Sequence, residues 1–135
     1  MRYLLDTSIV IAAMKGHPLV RKRLECTPLA NVLLSPVVLG ELAFGARKSA
    51  QVERNEARLA ELAAKFQVPP LDARASLHYG ELRARLEREG TPIGANGTWI
   101  AAHALALEAA VVTDNVREFS RVPSLVVENW TVEEA

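Results

Sequence analysis

Tyr3-Leu4-Leu5-Asp6-Thr7-Ser8-Ile9-Val10-Ile11 is the stretch on which the reading of the chain turns. Tyr3, Leu4 and Leu5 make an apolar run short enough for a buried strand, and three small polar side chains then end it. A carboxylate therefore stands where a buried strand stops. In open parallel α/β sheets, ligands bind in the crevice beyond the carboxyl ends of the strands, which makes Asp6 a candidate functional residue. Its plainer role is to cap the following helix by accepting a backbone N–H. Other apolar runs of the chain also end in polar groups, and this takes Asp6 beyond the plainer role.

Working outward, residues 31–34 form a second short apolar run, closed by Ser35-Pro36. Serine can cap free N–H groups, and proline already has a helical φ, so this pair predicts a helix start. The helix expected over residues 37–46 carries Glu41 among Val38, Leu39, Leu42, Ala43 and Phe44. A carboxylate in such company needs a partner or a chemical role. Further apolar runs at 68–71, 109–114 and 125–127 read as strands, the fourth ending in Thr113-Asp114-Asn115. Helical patterns fill the intervals at 9–14, 19–25, 52–66, 73–89 and 98–108, with a short connecting element at 116–121. Gly90-Thr91-Pro92-Ile93-Gly94 reads as a loop, and Asn96-Gly97 precedes a helix instead of joining two strands. Strands alternating with helices imply βαβ units. The expectation is one α/β domain over residues 1–135, with a central parallel sheet of about five strands flanked by helices.

The bulk numbers narrow the class. With 135 residues the chain has room for one real core, and 50% apolar with 24% charged residues is a globular profile. Sixteen basic and sixteen acidic side chains cancel, so a nucleic-acid partner would have to be met by a local patch. The single cysteine, Cys26, can form neither an internal disulfide nor a metal site alone, which fits a reducing cytoplasm. No apolar stretch approaches membrane-spanning length.

Asp6, Glu41 and Asp114 all follow candidate strands and are expected above one sheet edge. Clustered carboxylates repel one another unless a cation neutralises them, and oxygen ligands without His or Cys favour Mg²⁺ or Mn²⁺ over zinc. Such an ion acidifies bound water and binds phosphodiester oxygens, so phosphoryl chemistry is the natural inference. Thr7 and Ser8 are placed to orient Asp6 or to cap a helix, His103 to pack, and Trp99 and Trp130 to fill the core, an interface or a base stack. Arg47, Lys48, Arg117 and Arg121, at element ends, are the candidate phosphate contacts. A small phosphohydrolase fits poorly, because Ser8 stands where an aspartate-nucleophile phosphatase needs a second carboxylate. No Gly-x-Gly-x-x-Gly follows the first strand to suggest a dinucleotide.

Four segments together resemble the PIN-domain ribonucleases, specifically the VapC toxins of bacterial toxin–antitoxin pairs. They are Tyr-Leu-Leu-Asp-Thr-Ser at 3–8, Ser-Pro-Val-Val-Leu-Gly-Glu-Leu-Ala-Phe-Gly at 35–45, Gly-Thr-Pro-Ile-Gly-Ala-Asn at 90–96 with Ile-Ala-Ala-His-Ala at 100–104, and Val-Thr-Asp-Asn-Val-Arg-Glu-Phe at 112–119. Each is weak alone, but four in the family's order span nearly the whole chain. The resemblance implies a metal-dependent endoribonuclease acting on structured RNA such as tRNA. It also implies a homodimer, larger assembly with a VapB-type antitoxin, and neutralisation by that antitoxin. Asp6 and Glu41 would be two of the acids around the metal, and Thr113 with Asp114 or Asn115 would supply the fourth position. The family's third acid, directly after an Asn like Asn96, falls on Gly97. With that carboxylate absent, the chain is expected to bind metal poorly and cleave slowly, by roughly 100-fold or more. Either a relative has lost its activity or the acid was removed by hand to make a poisonous nuclease tolerable; the intact Asp6, Glu41 and flanking motif favour the second. A catalytically silent PIN-like module that binds antitoxin or RNA is the alternative.

Overall fold

Leu4 and Leu5 are fully buried in β1 (Tyr3–Leu5), an inner strand of a four-stranded parallel sheet in the computed structural model, which describes residues 1–133. The other strands are β2 (Val32–Leu33), β3 (Ala110–Val112) and β4 (Val127–Glu128), in the order β2-β1-β3-β4. Tyr3 and Leu4 register with Val32 and Leu33 on one side, while Tyr3, Leu4 and Leu5 register with Ala110, Val111 and Val112 on the other. Asp6 prolongs the second ladder, its N–H donating to the Val112 carbonyl at 2.8 Å. The first carboxylate is thereby tied to the carboxyl edge of β3.

The helices are α1 (Thr7–Met14), α2 (Pro18–Cys26), α3 (Pro36–Lys48), α4 (Val52–Lys65), α5 (Ala73–Arg88), α6 (Ala95–Leu107) and α7 (Val116–Phe119). Their starts follow from local chemistry. Asp6 caps α1, Asp72 caps α5, and Ser35 caps α3 by accepting from Val37 N at 3.2 Å, with Pro36 in the first turn. α6 is buried nearly all round at Ile100, Ala101, Ala102, His103, Ala104 and Ala106, as expected of a small-residue helix enclosed by neighbours. α5 packs along it, and α3 packs on α4.

The alternating α/β architecture with a parallel sheet is as expected, and two details are corrected. Among the described residues there are four strands, because the run at 68–71 is reduced to one parallel bridge, Leu33 to Gln67, with Leu34 N–H bonding the Gln67 carbonyl at 2.9 Å. Pro69 and Pro70 have no N–H to offer a ladder, so the segment leaves the sheet there. α6 begins at Ala95, not at 98, so Asn96 and Gly97 lie in its first turn.

His103 and Trp130 take structural places. The His103 ring spans Ser35 Oγ at 3.0 Å and the Pro70 carbonyl at 3.1 Å. Because a carbonyl only accepts, Nε2 carries the proton and Nδ1 accepts from Ser35. Burial lowers the His103 pKa, against the pull of the Pro70 carbonyl and Asp72. Fully buried Trp130 meets the Tyr3 ring edge-on at 5.2 Å, donates to Glu128 at 3.0 Å and lies under the Arg23 guanidinium.

Candidate active site

Three elements meet where β1 ends. Asp6 is the N-cap of α1 with extended backbone (φ −74°, ψ 160°), a conformation that turns its carboxylate back over the first turn. One carboxylate oxygen accepts from Thr7 N at 2.8 Å, and the other accepts from the Thr113 hydroxyl at 2.7 Å. Thr113 follows β3, is fully buried, and is itself oriented by accepting from Asn115 N at 3.0 Å. A second threonine joins the other acid: the Thr7 hydroxyl donates to Glu41 Oε2 at 2.8 Å, linking α1 to α3. Asp6 and Glu41 are thus two half-buried carboxylates that both accept from Thr7 at the start of α1, one from its N–H and the other from its hydroxyl, while Thr113 holds Asp6 from the end of β3.

Electrostatics agree with that placement. Burial raises the Asp6 pKa; the Thr113 and Thr7 hydrogen bonds pull it down, and the negative charges of Glu41 and Asp114 push it up again. Two neighbouring anions acting on a partly desolvated third leave a deficit that positive charge would fill. The expected trio is nonetheless drawn as a pair with an exposed outlier. Asp114 stands at the same edge, its backbone N–H donating to Ser8 Oγ at 3.4 Å. The Asn115 amide turns away to donate to Glu118 within α7. Among the described residues, no three His, Cys, Asp or Glu side chains gather closely enough to form a metal cage. The donor set still suits a hard divalent cation, since Mg²⁺ is held by one or two carboxylates and keeps several waters.

Gly97 sits in the first turn of α6, and a Cβ built there meets Ile93 at 3.6 and 3.9 Å and Phe119 of α7 at 3.9 Å. These are ordinary contact distances, so the position has room for a side chain. Asn96 is exposed beside it. The basic candidates spread out. Arg47 and Lys48 end α3, roughly 9 Å along the helix from Glu41; Arg47 pairs with Glu56 of α4 at 3.7 Å, and Lys48 lies over Phe44. Arg121 donates to the Pro92 carbonyl at 3.0 Å, bracing the loop before α6, and Arg117 is exposed on α7. Trp99 stacks on Tyr79, 3.9 Å between ring centres, joining α6 to α5. Two grooves of about 370 Å³ flank α1, one lined by Leu24, Leu62 and Phe66 and the other by Ile11, Leu42 and Leu59.

The structure adds the Thr7–Glu41 link to what sequence showed. Thr7 read as a cap or an orienter of Asp6, and nothing in the sequence signals a partner 34 residues away.

Residues 3–125 match the family model of the PIN domain. The chain is 39% identical to Ribonuclease VapC2 of Rickettsia felis over 132 residues, 96% of this chain and 98% of that one. It is 37% identical to the tRNA(fMet)-specific endonuclease VapC of Salmonella typhimurium over 131 residues, again 96% and 98%. Among solved structures, DNA-bound VapBC from Salmonella typhimurium superposes with a TM-score of 0.91 at 37% identity, covering 96% of this chain and 98% of that one. VapBC2 from Rickettsia felis, bound to a promoter fragment, gives 0.88 at 39%, covering 96% and 99%.

Proposed function

The chain belongs to the PIN-domain family, among the VapC ribonucleases, and from that premise we propose a divalent-metal-dependent endoribonuclease of the toxin class, weakened at one position, Gly97. The observation that carries this reading is the paired carboxylates of Asp6 and Glu41, each fixed by a threonine, with the Asp6 pKa raised by burial. Asp6, Glu41 and Asp114 would hold Mg²⁺, or Mn²⁺ in its place. A bound ion would supply an acidified water and a Lewis acid for the phosphodiester oxygens. Thr113 fixes the Asp6 carboxylate, Thr7 fixes Glu41, and Asn115 orients Thr113 through its backbone N–H. Gly97 contributes no carboxylate to this edge, so metal affinity and rate fall together.

The substrate is a structured RNA of the tRNA kind, in keeping with the named specificity of the Salmonella relative. The partner is a VapB-type antitoxin, as in the VapBC structures, and the active unit a cytoplasmic homodimer that assembles further with antitoxin. Among the described residues no helix is long and apolar enough to cross a membrane. Arg47, Lys48, Arg117 and Arg121 are the candidate phosphate contacts, of which Arg117 is exposed on α7, the helix that follows Asp114.

Gly97 also favours a second reading, a silent module that retains antitoxin or RNA binding. Comparing RNA cleavage by the chain, by Gly97→Asp, and by Gly97→Asp with Asp6→Ala, in Mg²⁺ or Mn²⁺, separates the two. Cleavage by the single variant alone, at least about 100-fold above the parent, supports a weakened nuclease. A folded but inert Gly97→Asp across a broad RNA panel overturns it in favour of the binding module.

A further inference from the structure

We infer that Asn96-Gly97 is a self-modifying site, at which the chain converts an exposed amide into a carboxylate on the first turn of α6 with water as the only co-reactant. The reaction needs a glycine after the asparagine, an unengaged Gly97 N–H and an amide free to swing onto it; the structure supplies the first two and an exposed amide, and fraying of a weakly held turn supplies the swing.

Asn96 is exposed, and among the described residues its side-chain amide makes no hydrogen bond. Gly97 N–H is one of the orphan donors of a helix start, and among the described residues it has no acceptor. The turn is weakly held. Its N-cap is Gly94, without a capping side chain, and the first amide locked into the helix is Thr98 N–H, bonded to the Gly94 carbonyl at 2.9 Å. A glycine within the turn makes it fray more readily than an alanine would. Fraying matters because a helical ψ at Asn96 holds the Gly97 nitrogen away from the side-chain carbonyl. The positive end of the helix also favours the anion that forms when Gly97 N loses its proton.

The deprotonated Gly97 nitrogen attacks Asn96 Cγ. A new N–Cγ bond forms, the Cγ–Nδ2 bond breaks, and Nδ2 takes up a proton and leaves as ammonia, closing a five-membered succinimide. Water then opens the ring. Addition at Cγ gives aspartate, and addition at the main-chain carbonyl gives isoaspartate, with one extra methylene in the backbone. Nothing is oxidised or reduced. Both products add one negative charge to a chain of formal net charge zero, at a helix end that favours it. The aspartate preserves the turn, whereas the isoaspartate unwinds it. The inference does not depend on the nuclease reading, since the chemistry is complete without metal or RNA.

The test is to incubate the folded chain at neutral and mildly alkaline pH in ¹⁸O-water, quench in acid, digest, and weigh the peptide containing position 96. Gly97→Ala and a synthetic peptide of residues 90–100 run alongside. Expected are an amide-to-acid mass change carrying ¹⁸O at Asn96, a rate that rises with hydroxide, an acidic shift on isoelectric focusing, and slowing by about tenfold or more in Gly97→Ala, whose Cβ crowds the attacking nitrogen. Asn31, Asn55, Asn115 and Asn129, none followed by glycine, keep their amides and serve as internal standards. If the synthetic peptide reacts while the folded chain keeps Asn96 intact over the same period, the fold protects the site and the inference is overturned. Equal rates in the chain and in Gly97→Ala overturn it as well.

Discussion

Removing the Thr7 hydroxyl tests the site where two elements depend on one atom. Thr7→Val keeps the shape and the β-branching and leaves the backbone N–H that Asp6 accepts, deleting only the 2.8 Å bond to Glu41. A hydrogen bond to a charged group contributes about 1.5–3 kcal/mol when shielded. Both partners are half-buried, so water compensates in part, and about 1–2 kcal/mol is the discounted figure. At roughly 3–5 °C per kcal/mol for this chain length, Tm should fall by roughly 3–10 °C. The assay is urea unfolding in EDTA at pH 7 for the parent, Thr7→Val, Glu41→Ala and the double variant, which isolates the coupling of the pair. The coupling should be about 1–2 kcal/mol, with Thr7→Ser restoring most of it. Mn²⁺ titration of the same proteins should show affinity lowered about 10–100-fold in Thr7→Val, because a carboxylate released from its orienting partner binds less well. A coupling below about 0.3 kcal/mol would show that the hydroxyl and the carboxylate are independent, and the placement of Glu41 by α1 would have to be abandoned.

Three other outcomes follow from geometry and charge. Gly97→Asp should fold normally and, without metal, hold or raise Tm by a few degrees, since its Cβ meets only ordinary contacts and an acid in the first helical turn contributes about 0.3–1 kcal/mol; a clear loss of Tm would mean the turn is crowded. The Asp6 pKa is raised in the fold, so the native state binds more protons than the unfolded chain above pH 3.8, and stability tied to Asp6 is lost as pH rises through the folded value. Parent minus Asp6→Asn stability should therefore grow on acidification from pH 7 toward 4, and a flat difference would refute the electrostatic account. His103 has the opposite sign: its folded pKa lies below 6.5, so its contribution is present above that pH and is lost on acidification below it. His103→Leu should remove that acid sensitivity while costing about 1–3 kcal/mol at pH 7, because Ser35 and the Pro70 carbonyl lose their partner.

Much of this was legible in one dimension because strand ends and helix caps are local. Asp6 after Leu5 and Ser35 before Pro36 each declare a boundary by chemistry spanning two or three residues. Boundaries set by distant structure were less legible. The apolar run at 68–71 resembles a strand until its two prolines are weighed, and Asn96-Gly97 reads as preceding a helix although α6 already begins at Ala95. The site divides the same way. The identities of Asp6 and Glu41 were readable, but the threonine bridge between α1 and α3 exists only once the two helices meet. Asp114 and Asn115 could not be separated by sequence because they are adjacent; in the fold, one amide is drawn into α7 while the other residue's charge acts on Asp6.

The position of β1 sets an order of events during synthesis. β1 is an inner strand made before its partners in the sheet, and its ladder to β3 and the Asp6–Thr113 hydrogen bond both close loops of more than a hundred residues, 107 for the latter. Such distant pairings form late, because the loop-closure entropy has to be met before the contacts reward it. A nascent chain that has not yet delivered residues 110–113 from the ribosome therefore has no Thr113 to fix Asp6 and no β3 to seat it. The acidic edge is assembled only once residues 110–113 have been made, so a product stalled or truncated before them carries the first carboxylate without the site.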